Sequence, residues 1–404
     1  MGEKNIYFGG CFMKKNSFIF LIMTAILIFT GCGMTRSGAS YHRAGMKLFE
    51  KGEYSEAAES LLKAVKENQL KSEYRIDYGF ALIKTDQIEE AISQFDQAIL
   101  DRDNIVIKEN NKKAYRGKGI AYYISGDYTK AIESFLKALK IKGDNKLNKD
   151  IKYYIASSYE NSGEYKEAIR QYEDILDEVK EKDEIYASLA RNYYYMGDLD
   201  KGIEYYDKAI KEDKKSYEYY FEKYEILKEM EDEKEANEVL IKATKIKPRT
   251  KEDNYNVGKL YYLLEDYDNG TLKLEESVDK GVIEGYYYLG EIYRTEGDND
   301  LAIRYYKEYL KREKSIKIPT IYNQLAACLM EEEDYEEALK VINTGIEQND
   351  LSVLKELLYH QIVAYENLGR FKEAYKASKK YIKLYPEDQE MLRELEFIKT
   401  RLPK

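Results

Sequence analysis

The chain has 404 residues, 65 of them basic and 75 acidic, for a formal net charge of −10. That balance argues against a body built to grip nucleic acid, because such binding is driven by Lys and Arg on phosphate. Two His and three Cys leave little for a His-based triad, a His-rich metal site or a disulfide framework.

The N-terminus reads as a leader. Lys14-Lys15 precede an apolar run from Phe18 to Phe29, broken only by Thr24, and Thr30-Gly31-Cys32 follow. These are the charged, hydrophobic and cleavage regions of an export signal. The run is too short to span a bilayer, which needs about 20 residues. The ending Phe29-Thr30-Gly31-Cys32 resembles a bacterial lipobox, with Phe29 where Leu is usual. The resemblance implies cleavage before Cys32, a diacylglyceryl group on its thiol, and a lipid anchor on the extracytoplasmic side of the cell membrane. Two starts stay open, Met1 and Met13. Residues 1–12 add Glu3 and Cys11 ahead of the basic pair, which does not suit a signal peptide and favours Met13. The chain thus divides into an extension (1–12), a lipoprotein signal peptide (13–31), a short tether (32–37), a repeat array (38–386) and a capping helix with tail (387–404).

Within the array a small residue returns at intervals of 32 to 40: Ala57, Ala91, Ala131, Ala168, Gly202, Ala236, Gly270, Ala302, Ala338 and Ala374. Such spacing marks units that each bury an apolar face against a neighbour. A Gly or Ala at a helix crossing lets two backbones approach while larger residues fill the flanking holes. The fifth unit is representative. Tyr186, Leu189 and Tyr193 form one helical stripe, Gly197-Asp198 breaks it, and Leu199, Gly202, Tyr206 and Ala209 form a second. This predicts two antiparallel helices joined by a short turn. The widest interval, before the third unit, predicts longer second helices or loops there, and Gly143 to Lys149 is the loosest stretch. Pro386 opens the last segment, where Met391, Leu392, Leu395 and Ile398 share a stripe suited to an end cap.

The pattern resembles the tetratricopeptide repeat, most closely at Tyr115, Gly119, Tyr122, Gly126, Tyr128, Ala131, Phe135, Ala138 and Leu139. Tyr286, Leu289, Gly290, Tyr293, Gly297, Ala302 and Tyr306 follow it closely, as do Gly45, Gly52, Tyr54, Ala57, Leu61 and Ala64. The resemblance covers about residues 38 to 386. It implies an all-α, right-handed superhelical solenoid of about ten hairpins plus a C-terminal capping helix, binding other proteins and needing no cofactor. Departures are the absence of Trp, terminal Pro only at Pro248 and Pro386, and Tyr224 and Ile362 where Gly or Ala is usual. Those two units are expected to pack less tightly. The family's clamp of Lys, Asn and Arg for acidic C-termini has no counterpart in register.

Other motifs have plainer readings. Gly117-x-Gly119 lacks the preceding strand of a phosphate loop. Glu331-Glu332-Glu333-Asp334 lacks the Gly and alternation of a calcium loop and falls in an inter-helix turn. Cys328, beside Leu329, reads as a small buried apolar residue.

The resemblance also implies an inner surface lined by the first helix of each unit. The positions after the two signature aromatics are Tyr153, Phe221, Tyr255, Tyr287 and Tyr359, and Tyr123, Tyr194 and Tyr262. With Arg116, Arg191, Lys259 and Arg294 nearby, this lining suits an extended peptide or a helix. Replacing Tyr255 and Tyr287 with Ala is expected to abolish partner capture without unfolding. The sequence therefore points to a non-enzymatic, membrane-anchored docking scaffold for envelope proteins, without nucleic acid, metal or cofactor. Such lipoproteins resemble adaptors for cell-wall enzymes or for pilus and secretion assembly. Two alternatives stay open: an envelope enzyme or its carbohydrate-binding subunit, and a cytoplasmic regulator if the leader is not an export signal.

Overall fold

The computed structural model describes residues 38–102, 104–312 and 318–402, and among these every regular element is a helix, with no strand. Cys32, the leader and the tether lie outside the described residues. The packing groups the chain into two compact units divided between Glu231 and Asp232.

The first unit holds α1 (Gly38–Glu50), α2 (Tyr54–Glu67), α3 (Ser72–Lys84), α4 (Ile88–Ala98), α5 (Ile105–Ile124), α6 (Tyr128–Lys140), α7 (Asn148–Asn161), α8 (Tyr165–Leu176), α9 (Asp183–Tyr195), α10 (Leu199–Glu212) and α11 (Tyr217–Glu229). The second holds α12 (Glu233–Ala243), α13 (Lys251–Leu263), α14 (Tyr267–Asp279), α15 (Gly285–Thr295), α16 (Asn299–Arg312), α17 (Thr320–Glu331), α18 (Tyr335–Glu347), α19 (Leu351–Asn367), α20 (Phe371–Leu384) and α21 (Gln389–Thr400). Within the units each first helix packs on the second helix that follows, from α1 on α2 to α9 on α10 and from α13 on α14 to α19 on α20, and hairpins stack in sequence order.

The small residues sit where the sequence places them. Ala57, Ala91, Ala131, Ala168, Ala236, Ala302, Ala338 and Ala374 are fully buried, each in the first turn of a second helix. Across the hairpin the relation is reciprocal. Helix glycines of the first helices admit a ring from the second: a Cβ on Gly119 would come within 2.6 Å of the Phe135 ring, and one on Gly79 within 2.8 Å of Phe95. Phe95, Phe135, Tyr206 and Tyr306 are all fully buried.

Every hairpin turn is built alike. One residue takes positive φ: Gly52, Asp86, Gly126, Gly163, Gly197, Glu231, Glu265, Gly297, Glu333 or Gly369. Each lies five positions before the small residue of its repeat. The next amide bonds back to the first helix, as in Asp127 N to Tyr122 O at 2.9 Å and Asp298 N to Tyr293 O at 2.8 Å. That bond and the left-handed residue make a Schellman-type stop. Where that next residue is Asp, it starts the second helix by accepting from a backbone amide, as Asp127 does from Lys130 and Asp334 from Glu337, whereas Glu53, Gln87, Glu164 and Arg370 make no such side-chain bond.

Three details differ from expectation. The extra length before the third unit lies in the 99–104 connection and in a 20-residue first helix, α5, while the second helix α4 has only 11 residues. The loose stretch after α6 holds a short 3-10 turn, Asn145–Leu147, tied down by a lysine. Lys112 on α5 is buried and donates to Ile141 O at 3.3 Å, Gly143 O at 2.6 Å and Asn148 Oδ1 at 2.6 Å. Third, Ile362 is fully buried and Tyr224 nearly so, so the larger side chains are absorbed into the packing. The cap forms as read: α21 buries Met391 and Ile398 against α19 and α20.

Candidate functional site

All eight aromatic positions chosen from the sequence lie on first helices: Tyr123 on α5, Tyr153 on α7, Tyr194 on α9, Phe221 on α11, Tyr255 and Tyr262 on α13, Tyr287 on α15 and Tyr359 on α19. Consecutive first helices touch, as α3 does α5, α13 does α15 and α17 does α19. These residues therefore mark one face of each unit. Seven are half-buried, and Tyr359 is exposed.

In the first unit this face is a polar seam that crosses from repeat to repeat. Tyr123 and Ser157 share a hydrogen bond of 2.8 Å between α5 and α7, and Arg116 donates to Asp150 at 2.5 Å across the same pair. Arg191 on α9 lies between Glu160 on α7 and Glu222 on α11, donating to each at 3.3 Å. Tyr194 donates to Glu229 at 2.7 Å, and Tyr219 to Asp183 at 3.0 Å. Burial pushes the Glu222 carboxyl up to about 7 although Arg191 pulls it down. Arg116 and Arg191 are thus committed to carboxylates of the seam, where the sequence suggested basic groups beside a groove. A signal for this was present: Arg116 and Asp150, like Tyr123 and Ser157, stand 34 residues apart, close to one repeat.

A cavity of about 390 Å³ opens beside Tyr153, between the start of α7 and the start of α9. Its lining includes Lys146, Lys149, Glu181 and Glu184 together with the buried Ile175 and Ile185. An apolar side chain flanked by opposite charges matches that lining.

In the second unit the face is an aromatic cluster centred on Tyr288, which the sequence reading missed. Its ring stands 5.8 Å from Tyr255, 5.3 Å from Tyr262 and 5.2 Å from Tyr287, with Lys259 Nζ 5.8 Å from its centre. Burial raises the phenols of Tyr255, Tyr262 and Tyr287, the last to about 12. Arg294 donates to Glu291 at 3.0 Å, and Glu291 also accepts from the buried Tyr306 hydroxyl. Tyr255 and Tyr287 are built into this packing, so truncating them removes core contacts as well as surface.

The remaining candidates fall into structural roles. Gly117 and Gly119 lie inside α5 against Phe95 and Phe135, and no strand precedes them. Glu331, Glu332, Glu333 and Asp334 are exposed in the turn between α17 and α18. Cys328 is buried, and burial pushes its thiol up to about 11, far from a reactive thiolate at neutral pH. No described helix is long and apolar enough to cross a membrane.

Comparison with known proteins bears on this arrangement. Tetratricopeptide repeat models match residues 42–105, 113–145, 150–180, 183–216, 283–315 and 356–388, together more than half of the chain. No curated protein sequence matches significantly. Among solved structures, a tetratricopeptide repeat protein from Parabacteroides merdae is similar at 16% identity, over 62% of this chain and 98% of that one, with a TM-score of 0.47. PilW, a type IV pilus biogenesis factor, is similar at 18% identity, over 54% of this chain and 100% of that one, with a TM-score of 0.46. With repeat models matched along its length and helical hairpins stacked in both units, the chain belongs to the tetratricopeptide repeat family, whose repeats are protein-interaction modules.

Proposed function

We propose that the chain is a lipid-anchored scaffold on the extracytoplasmic side of a bacterial membrane, docking other envelope proteins along the first-helix face of its units. The observation that carries this reading is the lining itself. Eight aromatic side chains recur at equivalent positions of first helices, and seven are held half-buried by neighbours. Rigid aromatics offer large contact area at low entropy cost, which is what a protein-binding surface needs. The cavity beside Tyr153 supplies a recess for one apolar anchor side chain.

The anchor rests on the sequence of the leader. Two or more acyl chains on Cys32 would hold the protein stably, whereas one is marginal. The acidic balance keeps the body from lying on an anionic lipid surface. Cell fractionation tests this half of the reading. The protein should sediment with membranes, and Cys32→Ser should move it to the soluble or unprocessed fraction; equal partition of both forms would remove the anchor. Crosslinking in native membranes tests the docking half, and a product of catalysis on envelope polymers in place of crosslinked protein would favour an enzyme.

A further inference from the structure

The start of the first unit gathers a chemistry that the docking face does not use. His42 on α1 and Asp77 on α3 meet across one repeat, with Nε2 and Oδ2 2.6 Å apart. Glu73 lies one helical turn before Asp77, so the two carboxylates share a face of α3. One ligand atom from each of the three lies within 4.8 Å of the other two, and among the described residues this is the one such group of His, Cys, Asp or Glu. The His42 ring stacks on Tyr74 with centroids 4.5 Å apart, which fixes its plane.

We propose that His42, Glu73 and Asp77 bind one divalent transition-metal ion, with Zn²⁺ the best suited. An imidazole and two carboxylates are ordinary zinc ligands at about 2.0–2.2 Å, which in a tetrahedral site puts ligand atoms about 3.4 Å apart. Reaching that spacing takes a rotation of Glu73, whose side chain is exposed, and a separation of His42 Nε2 from Asp77 Oδ2, now hydrogen-bonded at 2.6 Å. A neutral imidazole with two carboxylates balances the charge of the ion and leaves a fourth position for water. Calcium and magnesium are disfavoured because they take six or more oxygen ligands. Lys71, 3.6 Å from Glu73, and Lys113, whose charge acts on Asp77, compete with the ion and keep the affinity moderate. Since the ligands come from α1 and α3, the ion ties the first hairpin to the second.

The test uses the full-length protein purified in detergent and stripped with EDTA. ZnCl₂ is titrated by calorimetry, and thermal unfolding is followed by circular dichroism with and without Zn²⁺. One equivalent should bind in the micromolar range and raise the unfolding midpoint. His42→Ala and Glu73→Gln should each weaken that binding at least about tenfold and abolish the rise. Glu73→Gln alters an exposed side chain and keeps the fold, and His360→Ala should behave as wild type. Absence of a stoichiometric zinc equivalent, or equal affinity in Glu73→Gln and wild type, would overturn the site.

Discussion

At the scale of single residues, each hairpin turn asks for one left-handed backbone position, and six of ten carry Gly there. Asp86, Glu231, Glu265 and Glu333 hold the same conformation at φ of 59 to 62°. A non-Gly residue there costs roughly 1–2 kcal/mol, partly offset because Gly is more flexible when unfolded. Glu265→Gly should therefore stabilise the second unit by about 0.5–1 kcal/mol in urea unfolding, and Gly297→Glu should destabilise it by a similar amount. A loss on Glu265→Gly would mean the side chain makes a contact worth more than the strain. The burial of Glu222 has a pH signature. Its carboxyl is raised to about 7 from an ordinary 4.5, so between those values the folded form holds a proton that the unfolded form has released. Stability of the first unit should fall as pH rises across that window. Glu222→Gln should flatten this slope, changing the difference from wild type by an amount on the order of 3 kcal/mol between pH 4 and 8. Parallel pH profiles for the two proteins would contradict it. The small-residue register and the buried Cys328 were legible in sequence. The Arg191 ion cluster was not, because its carboxylates come from α7 and α11, about one repeat to either side, and periodicity of apolar residues says nothing about which charges a neighbour presents.

At the scale of elements, the hairpins and the cap could be read from apolar stripes, but the place of the added length before the third unit could not. That length lies in α5 and in the connection before it, and on α5 Lys112, a residue type expected outside, turns inward to satisfy the carbonyls of Ile141 and Gly143. Burial lowers its pKa, yet three acceptors hold it. Lys112→Met should leave those carbonyls unpaired, cost about 1–3 kcal/mol, and speed amide exchange in 141–148 above the rest of the unit. Unchanged exchange there would show that the loop is held by other contacts. For the cap, Ile398 is fully buried against the last hairpin. Ile398→Ala should cost about 2–5 kcal/mol, with exchange protection lost in α19–α21 and kept in α1–α4, since repeat stability is a sum of neighbour contacts. Loss spread evenly over both units would contradict that locality.

At the scale of the whole molecule, periodicity identified stacked helical hairpins, which the packing groups into two compact units. The aromatic face was legible as a set of positions. Its internal bonding was not: Tyr288 escaped notice because it sits one place beyond the register slot, and the arginines proved to be partners of the seam. Half-burial holds seven of these aromatic positions in place on the first helices. The central claim is that partners dock on the first-helix face, and site-specific photocrosslinking in native membranes tests it most directly. A benzoylphenylalanine is placed at Tyr123, Tyr262 or Tyr359 on first helices, and at the exposed Leu136 or Leu272 on second helices. The account requires discrete protein adducts from the first three positions and none from the last two. Adducts formed equally from both faces, or from second helices alone, would contradict it.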